Sequence, residues 1–222
     1  MPALRFPPTP REVNIAITGQ CNLSCKHCSY ATEMASRPDL PTASWLAFFE
    51  ELDACKVMKV ALSGGEPFMR QDLLEILEGI ILHKMRFSLT TNATLISEEM
   101  AHYLKSCRRL EIIQVSIEGS RAEIHERLRG RDSFEAALRG LKLLIAAGLP
   151  VAVRVTATPY NLDDLKDICS LLLSLSIKFL SVSAVAWSPI SGNTVCPGRA
   201  FKASLASASN NSLCFNNFFL MS

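Results

Sequence analysis

The chain is 222 residues long, 49% hydrophobic and 20% charged, long enough to bury a sizeable core. Its formal charge of +2 is spread along the sequence without a basic run, which argues against a nucleic-acid surface, and no apolar stretch approaches the ~18 residues that a membrane span needs. No basic, apolar and small-residue leader pattern opens the chain, so the expected compartment is the cytoplasm, and the eight cysteines read as metal ligands and buried thiols rather than disulfides.

Pro2, Pro7, Pro8 and Pro10 predict an extended arm over residues 1–12. From residue 13 to about 185, runs rich in β-branched and apolar residues alternate with amphipathic ones. Strands are predicted at 13–18, 59–63, 86–91, 112–117, 151–156 and 179–185, and helices at 44–54, 72–84, 98–107, 134–147 and 162–175, with a short extra one near 121–129. Ser97, Ser133 and Asn161 are expected to cap three of these helices with side-chain oxygens, and Ser120 with Glu123 to form a capping box for the short one. Gly148 and Pro150 should stop the helix before the fifth strand. Strict alternation of β and α predicts an α/β fold on a parallel sheet, open or curled into a barrel. Residues 186–222 form an irregular tail with no charge after Lys202.

In such folds functional residues gather at the carboxyl ends of strands. The first predicted strand runs into Cys21, Cys25 and Cys28, spaced C-x-x-x-C-x-x-C; the second into Gly64-Gly65-Glu66-Pro67; the third into Thr91-Asn92; the fourth into Ser116 and Glu118; the fifth into Arg154 and Thr156. Three thiolates on one loop can hold a [4Fe–4S] cube and leave one iron free for a small molecule. They can equally be part of a zinc site, although His27, wedged between Cys25 and Cys28, is a strained fourth ligand. Gly64-Gly65 is compatible with a tight strand-to-helix turn, or with backbone left bare for a ligand, with Glu66 placed to accept from an ammonium group.

Taken together, the three-cysteine loop and the Gly-Gly-Glu-Pro turn resemble the signature of the radical S-adenosylmethionine enzymes, over residues 13 to 185. The resemblance implies a partial (β/α)6 TIM-like barrel, with Cys21, Cys25 and Cys28 holding a [4Fe–4S] cluster whose free iron chelates the methionine part of S-adenosylmethionine. It further implies that Glu66, with the backbone of Gly64 and Gly65, holds the methionine ammonium. His27 would pack near the adenine, Ser116 would contact the cofactor, and Arg129 would meet the methionine carboxylate. For Arg129, a solvated charge at a helix end is the alternative. An electron donor such as flavodoxin or ferredoxin is implied as partner.

Ser116-Ile-Glu-Gly, Ile124-His125, Leu128-Arg129-Gly130 and Ser133-Phe134 resemble the branch of peptide-modifying maturases, anaerobic sulfatase maturases and modified-haem biosynthesis enzymes. A peptide or tetrapyrrole-like substrate is therefore expected. Many relatives carry Asp where this chain has Glu118, and Pro197-Gly198-Arg199-Ala200 resembles a segment after their sixth strand. They usually continue into a cysteine-rich domain called SPASM or twitch, for which Cys196 and Cys214 are too few, so a truncated chain is expected. The rival readings are a non-catalytic iron–sulfur or zinc protein that keeps the fold, and an activating enzyme for a glycyl-radical partner.

Overall fold

The computed structural model describes residues 9–28, 37–184, 186–187, 194–195 and 219–220. Six strands alternate with helices: β1 (Glu12–Ala16), α1 (Thr42–Ala54), β2 (Lys59–Ser63), α2 (Leu73–Leu82), β3 (Arg86–Thr91), α3 (Glu98–Ser106), β4 (Leu110–Ser116), α4 (Ala122–Arg129), α5 (Ser133–Ala146), β5 (Val151–Ala157), α6 (Leu165–Ser174) and β6 (Phe179–Ala184). β1 to β6 lie side by side in chain order, each parallel to the next. This is the expected α/β architecture, a partial TIM-like barrel that stays open because β1 and β6 share no ladder. Among the described residues no helix is long and apolar enough to cross a membrane.

The period of two along the strands sorts residues to two faces. Val60, Leu62, Phe87, Leu89, Ile113, Val115, Val153 and Val155 point to one face, all buried, and meet Phe49, Ile76, Leu77, Ile80, Leu104, Leu141, Leu144, Ile168 and Leu172 from the helices. Each such side chain contributes roughly 1.5–3 kcal/mol of burial. The opposite face carries Asn14, Ser88, Thr90, Gln114, Arg154 and Ser181. A closed eight-stranded barrel fills its inside with layers of branched apolar side chains. Here the inner positions are mostly polar, with Ala61 and Ile112 between them, and a cavity of about 460 Å³ remains on that face.

The helix ends agree with expectation in part. Ser97 Oγ accepts from the Met100 amide at 3.1 Å, with Glu98 and Glu99 in the first turn of α3, and Gly148 stops α5 at φ 67°. Three expected caps are not formed. Ser120 donates through its amide and hydroxyl to Asp164, at 2.6 and 2.7 Å, so no capping box closes on Glu123. Ser133 Oγ donates to Gly130 O at 2.6 Å, while Asp132, at φ 62°, precedes α5. Asn161 donates to Glu118 O and Thr156 O, and α6 starts only at Leu165. For Ser120 and Asn161 partners distant in sequence outcompete the helix amides, and for Ser133 the hydroxyl bonds back to the preceding turn instead.

The tail was expected to lack regular structure, yet β7 (Ala186–Trp187) pairs antiparallel with β8 (Thr194–Val195), and β9 (Phe219–Leu220) adds antiparallel to β6. The rest of 186–222, with Cys196, Cys214 and Pro197 to Ala200, lies outside the described residues, as do residues 1–8.

Candidate functional site

Beyond β1 the chain is tied down before it reaches the cysteines. The Thr18 hydroxyl donates to Asp39 at 2.7 Å, the Gly19 amide donates to the same carboxylate at 3.0 Å, and the Gln20 amide donates back to Thr18 Oγ1 at 2.9 Å. Arg70 supports this corner through Ile17 O at 2.8 Å and two hydrogen bonds to Asp72, whose carboxyl it draws down to about 2.

The turn after β2 grips the same segment. The Gly65 amide donates to Thr18 O and the Glu66 amide to Gln20 O, both at 2.8 Å. A Cβ on Gly64, which has φ 141°, would stand 2.4 Å from Thr18 O, and one on Gly65 would stand 2.1 Å from Gln20 O. Neither is a possible contact. The space that the glycines leave is thus filled by the protein's own loop, which lets β2's turn clamp the approach to Cys21.

The cysteine loop is held at two further points. The Lys26 amide donates to Leu128 O in α4 at 2.8 Å, and Asn92, just past β3, donates to Asn22 Oδ1 at 3.0 Å with its Nδ2 3.9 Å from Cys21 Sγ. So fixed, Cys21, Cys25 and Cys28 line one cavity of about 130 Å³ together with His27, Gly64, Gly65, Ser116 and Arg129. Burial pushes the thiols of Cys21 and Cys25 up, and for Cys25 the Arg129 guanidinium, with Nη1 4.0 Å from Sγ, opposes that. Among the described residues no three His, Cys, Asp or Glu side chains are gathered tightly enough to grip a single metal ion.

Glu66 is the sequence-selected residue that the cavity wall does not include. It is fully buried, and its carboxylate accepts from the Thr91 hydroxyl at 2.7 Å, the Asn92 amide at 2.7 Å and the Phe68 amide at 3.2 Å. Burial raises its pKa and these neutral donors only partly offset the rise. Three of its roughly four acceptor sites serve protein donors, which leaves about one for a ligand.

Arg129 is not a solvated helix-end charge. Its Nη2 and Nε donate to Glu118 Oε1 at 2.8 and 3.2 Å. His27 Nε2 lies 3.2 Å from the same oxygen, and the Thr156 amide donates to Oε2 at 2.6 Å. Burial alone would raise the Glu118 pKa, but the hydrogen bond from His27 and the charge of Arg129 bring it well below the usual carboxylate range. Two buried glutamates thus end on opposite sides of normal because Arg129 and His27 hydrogen-bond to one directly and only neutral donors to the other. Behind Glu118, His125 Nδ1 accepts the Glu118 amide at 3.1 Å, and burial, aided by the Arg129 charge, takes its pKa down to about 4.

The sequence marks Glu118 only as a strand-end carboxylate, and His125, expected from its place inside a predicted helix to be a surface or interface residue, is instead fully buried behind it. The available signal was the strand-end position of Glu118; its pairing with Arg129 spans two elements, and no single-element period reports it.

A family model described as the radical SAM superfamily matches residues 15–172. The mycofactocin maturase MftC of Mycolicibacterium smegmatis is 31% identical over 156 residues, covering 70% of this chain and 40% of that protein. The Fe-coproporphyrin III synthase of Methanosarcina barkeri is 37% identical over 158 residues, covering 70% and 39%. The crystal structure of SuiB of Streptococcus suis bound to S-adenosylmethionine superposes with a TM-score of 0.73 at 19% identity, over 85% of this chain and 44% of that one. The chain spans less than half the length of each of these relatives.

Proposed function

The chain belongs to the radical SAM superfamily of enzymes, and from that premise we propose that Cys21, Cys25 and Cys28 hold a [4Fe–4S] cluster with S-adenosylmethionine against it. The reaction proposed is radical modification of a peptide or a tetrapyrrole-like substrate. The observation that carries this reading is the single cavity that the three thiols of one loop share with Gly64, Gly65, Ser116 and Arg129. When bound, such a cluster supplies the electron that splits S-adenosylmethionine into methionine and a 5′-deoxyadenosyl radical able to abstract a hydrogen atom.

The residues present fit that group. Metal binding draws protons off the cysteines, and Arg129 beside Cys25 and Asn92 beside Cys21 favour the anionic sulfur. Three thiolates leave one iron open. Ser116, the half-buried backbone of Gly64 and Gly65, and Arg129 Nη1 are among the polar groups on the wall for the ammonium and carboxylate of the methionine part. Glu66 takes part from beneath, by fixing Thr91 and Asn92. His27 Nδ1 is buried without a partner among the described residues, and a polar atom of the ligand would satisfy it.

A peptide substrate is supported by similarity to MftC, a maturase, and to SuiB, whose structure with the precursor peptide SuiA shares the fold. A tetrapyrrole-like one is supported by similarity to the coproporphyrin enzyme. Residues 13–185 would form the cofactor-binding core in the cytoplasm, with a flavodoxin or ferredoxin as electron donor. Anaerobic reconstitution tests the reading: about four irons and four sulfides per chain, with 5′-deoxyadenosine formed from S-adenosylmethionine on reduction, is the expected result. A colourless protein with one tightly held zinc and no cleavage overturns it.

A further inference from the structure

The inner cavity of about 460 Å³ adjoins the cysteine cavity, since Ser63 and Thr90 line both. Three charged side chains border it: Glu12, Lys59 and Arg154. Lys59 is neutralised, with Nζ 3.5 Å from Glu12 and 3.1 Å from Glu111. Arg154 has no carboxylate partner among the described residues. Its Nη2 donates to Ser183 Oγ at 3.4 Å, and its side chain is exposed. The cavity therefore holds an uncompensated positive charge in the middle of β5.

Position makes that charge informative. Arg154 is the register partner of Ser116, which lines the cysteine cavity, so the two stand on neighbouring strands about 4.8 Å apart. Around it, the side chains of Asn14, Thr90, Gln114 and Ser181 make no hydrogen bond among the described residues. Their donors and acceptors face the cavity unused. A guanidinium offers a planar fork that matches a carboxylate through two parallel hydrogen bonds, which neighbouring neutral amides and hydroxyls can extend.

We propose that the substrate is an acid whose carboxylate docks on Arg154 in the inner cavity, with the remainder reaching past Ser63 and Thr90 toward the cysteines. This rests on the reading of the cysteine cavity as the site of radical chemistry. The carboxylate can come from an acidic peptide or from the propionate of a tetrapyrrole, and the recognition chemistry is the same for both.

The test uses the full chain after anaerobic reconstitution, with Arg154→Gln and Arg154→Lys beside it. Iron content and S-adenosylmethionine affinity are measured first. Equilibrium dialysis then compares coproporphyrin III with its tetramethyl ester, and an acetylated pentapeptide carrying two glutamates with its glutamine, amidated counterpart. In one of the two pairs the acid should bind the unaltered chain about tenfold or more tightly than its neutral form, which also identifies the source of the carboxylate. Arg154→Gln should erase that preference and Arg154→Lys keep part of it, with iron content unchanged in both. No preference for either acid, or the same preference in Arg154→Gln, overturns the proposal. A chain that takes up no cluster refutes the cluster reading separately, because the dialysis reads Arg154 whether or not iron is present.

Discussion

Arg129 donates twice to one oxygen of Glu118, through Nη2 at 2.8 Å and Nε at 3.2 Å, and the two side chains keep only 11% and 1% of their exposure. The pair joins the end of α4 to the segment after β4 directly behind Cys25, because Nη1 of the same guanidinium points to that sulfur at 4.0 Å. An ion pair so enclosed is a poor source of net stability, yet removing one member leaves the other buried and unpaired.

Glu118→Gln should therefore destabilise the unloaded chain by about 3–5 kcal/mol, the range for breaking a buried pair from one side. Urea unfolding measures it. Glu118→Asp keeps the charge and should cost less. A loss in Glu118→Gln below about 1 kcal/mol would mean that water already reaches Arg129 and that the enclosure is not real.

Gly65→Ala separates the clamp from the fold. A methyl group would sit 2.1 Å from Gln20 O, so the turn after β2 and the loop entering Cys21 must part. The sheet and helices do not depend on that contact. Circular dichroism should stay near that of the unaltered chain while reconstituted iron falls to less than half. Full iron uptake in Gly65→Ala would show that the loop finds its place without the clamp.

The six strands and their order were legible because apolar and β-branched runs alternate with helical periods, and observed ends differ from expected ones by a few residues, as at β4, which starts at Leu110 rather than Ile112. The cysteines, Gly64, Gly65 and Ser116 were legible as one rim for the same reason: strand ends in a parallel sheet share an edge. What failed was the partner of several polar groups. Ser120 reads as a cap by local spacing, but Asp164 lies 44 residues away and takes both its donors. The donors that meet Glu66, on Thr91 and Asn92, come from the neighbouring strand end and are equally out of reach of local spacing. Side-chain contacts of that span leave no trace in a local window.

Glu66→Gln follows from this. The amide nitrogen takes the place of one carboxylate oxygen, either the one that accepts from Asn92 or the one that accepts from Thr91 and Phe68, so at least one hydrogen bond is lost and a donor faces a donor. A cost of about 1–3 kcal/mol is expected from urea midpoints, with any change in S-adenosylmethionine affinity arising through displaced Asn92. An unchanged midpoint with strongly weakened binding would instead make Glu66 a direct ligand contact.

The pH dependence of stability should carry the signature of His125. The ring is buried, packs 5.4 Å from Phe134 between centroids, and accepts the Glu118 amide on Nδ1, so a second proton would have to enter beside Arg129. Burial first, and then that charge, bring its pKa down to about 4. In the unfolded chain an imidazole titrates near 6.5. Between these values the unfolded state takes up a proton that the native state refuses, and stability falls as pH falls; above about 6.5 the contribution is fully present, and below about 4 this slope ends. From pH 7 to pH 5 the loss from this one group is about 2 kcal/mol. Asp72, whose folded pKa is about 2, is also depressed, but its contribution is lost only from about 4 downward, so the two windows separate. His125→Asn, whose side-chain oxygen can still accept the Glu118 amide, should flatten the profile between pH 5 and 7 and leave the steeper fall below pH 4 in place. Urea unfolding at pH 7, 6 and 5 on both proteins decides it, and an equal slope in the two would move the titration to another group.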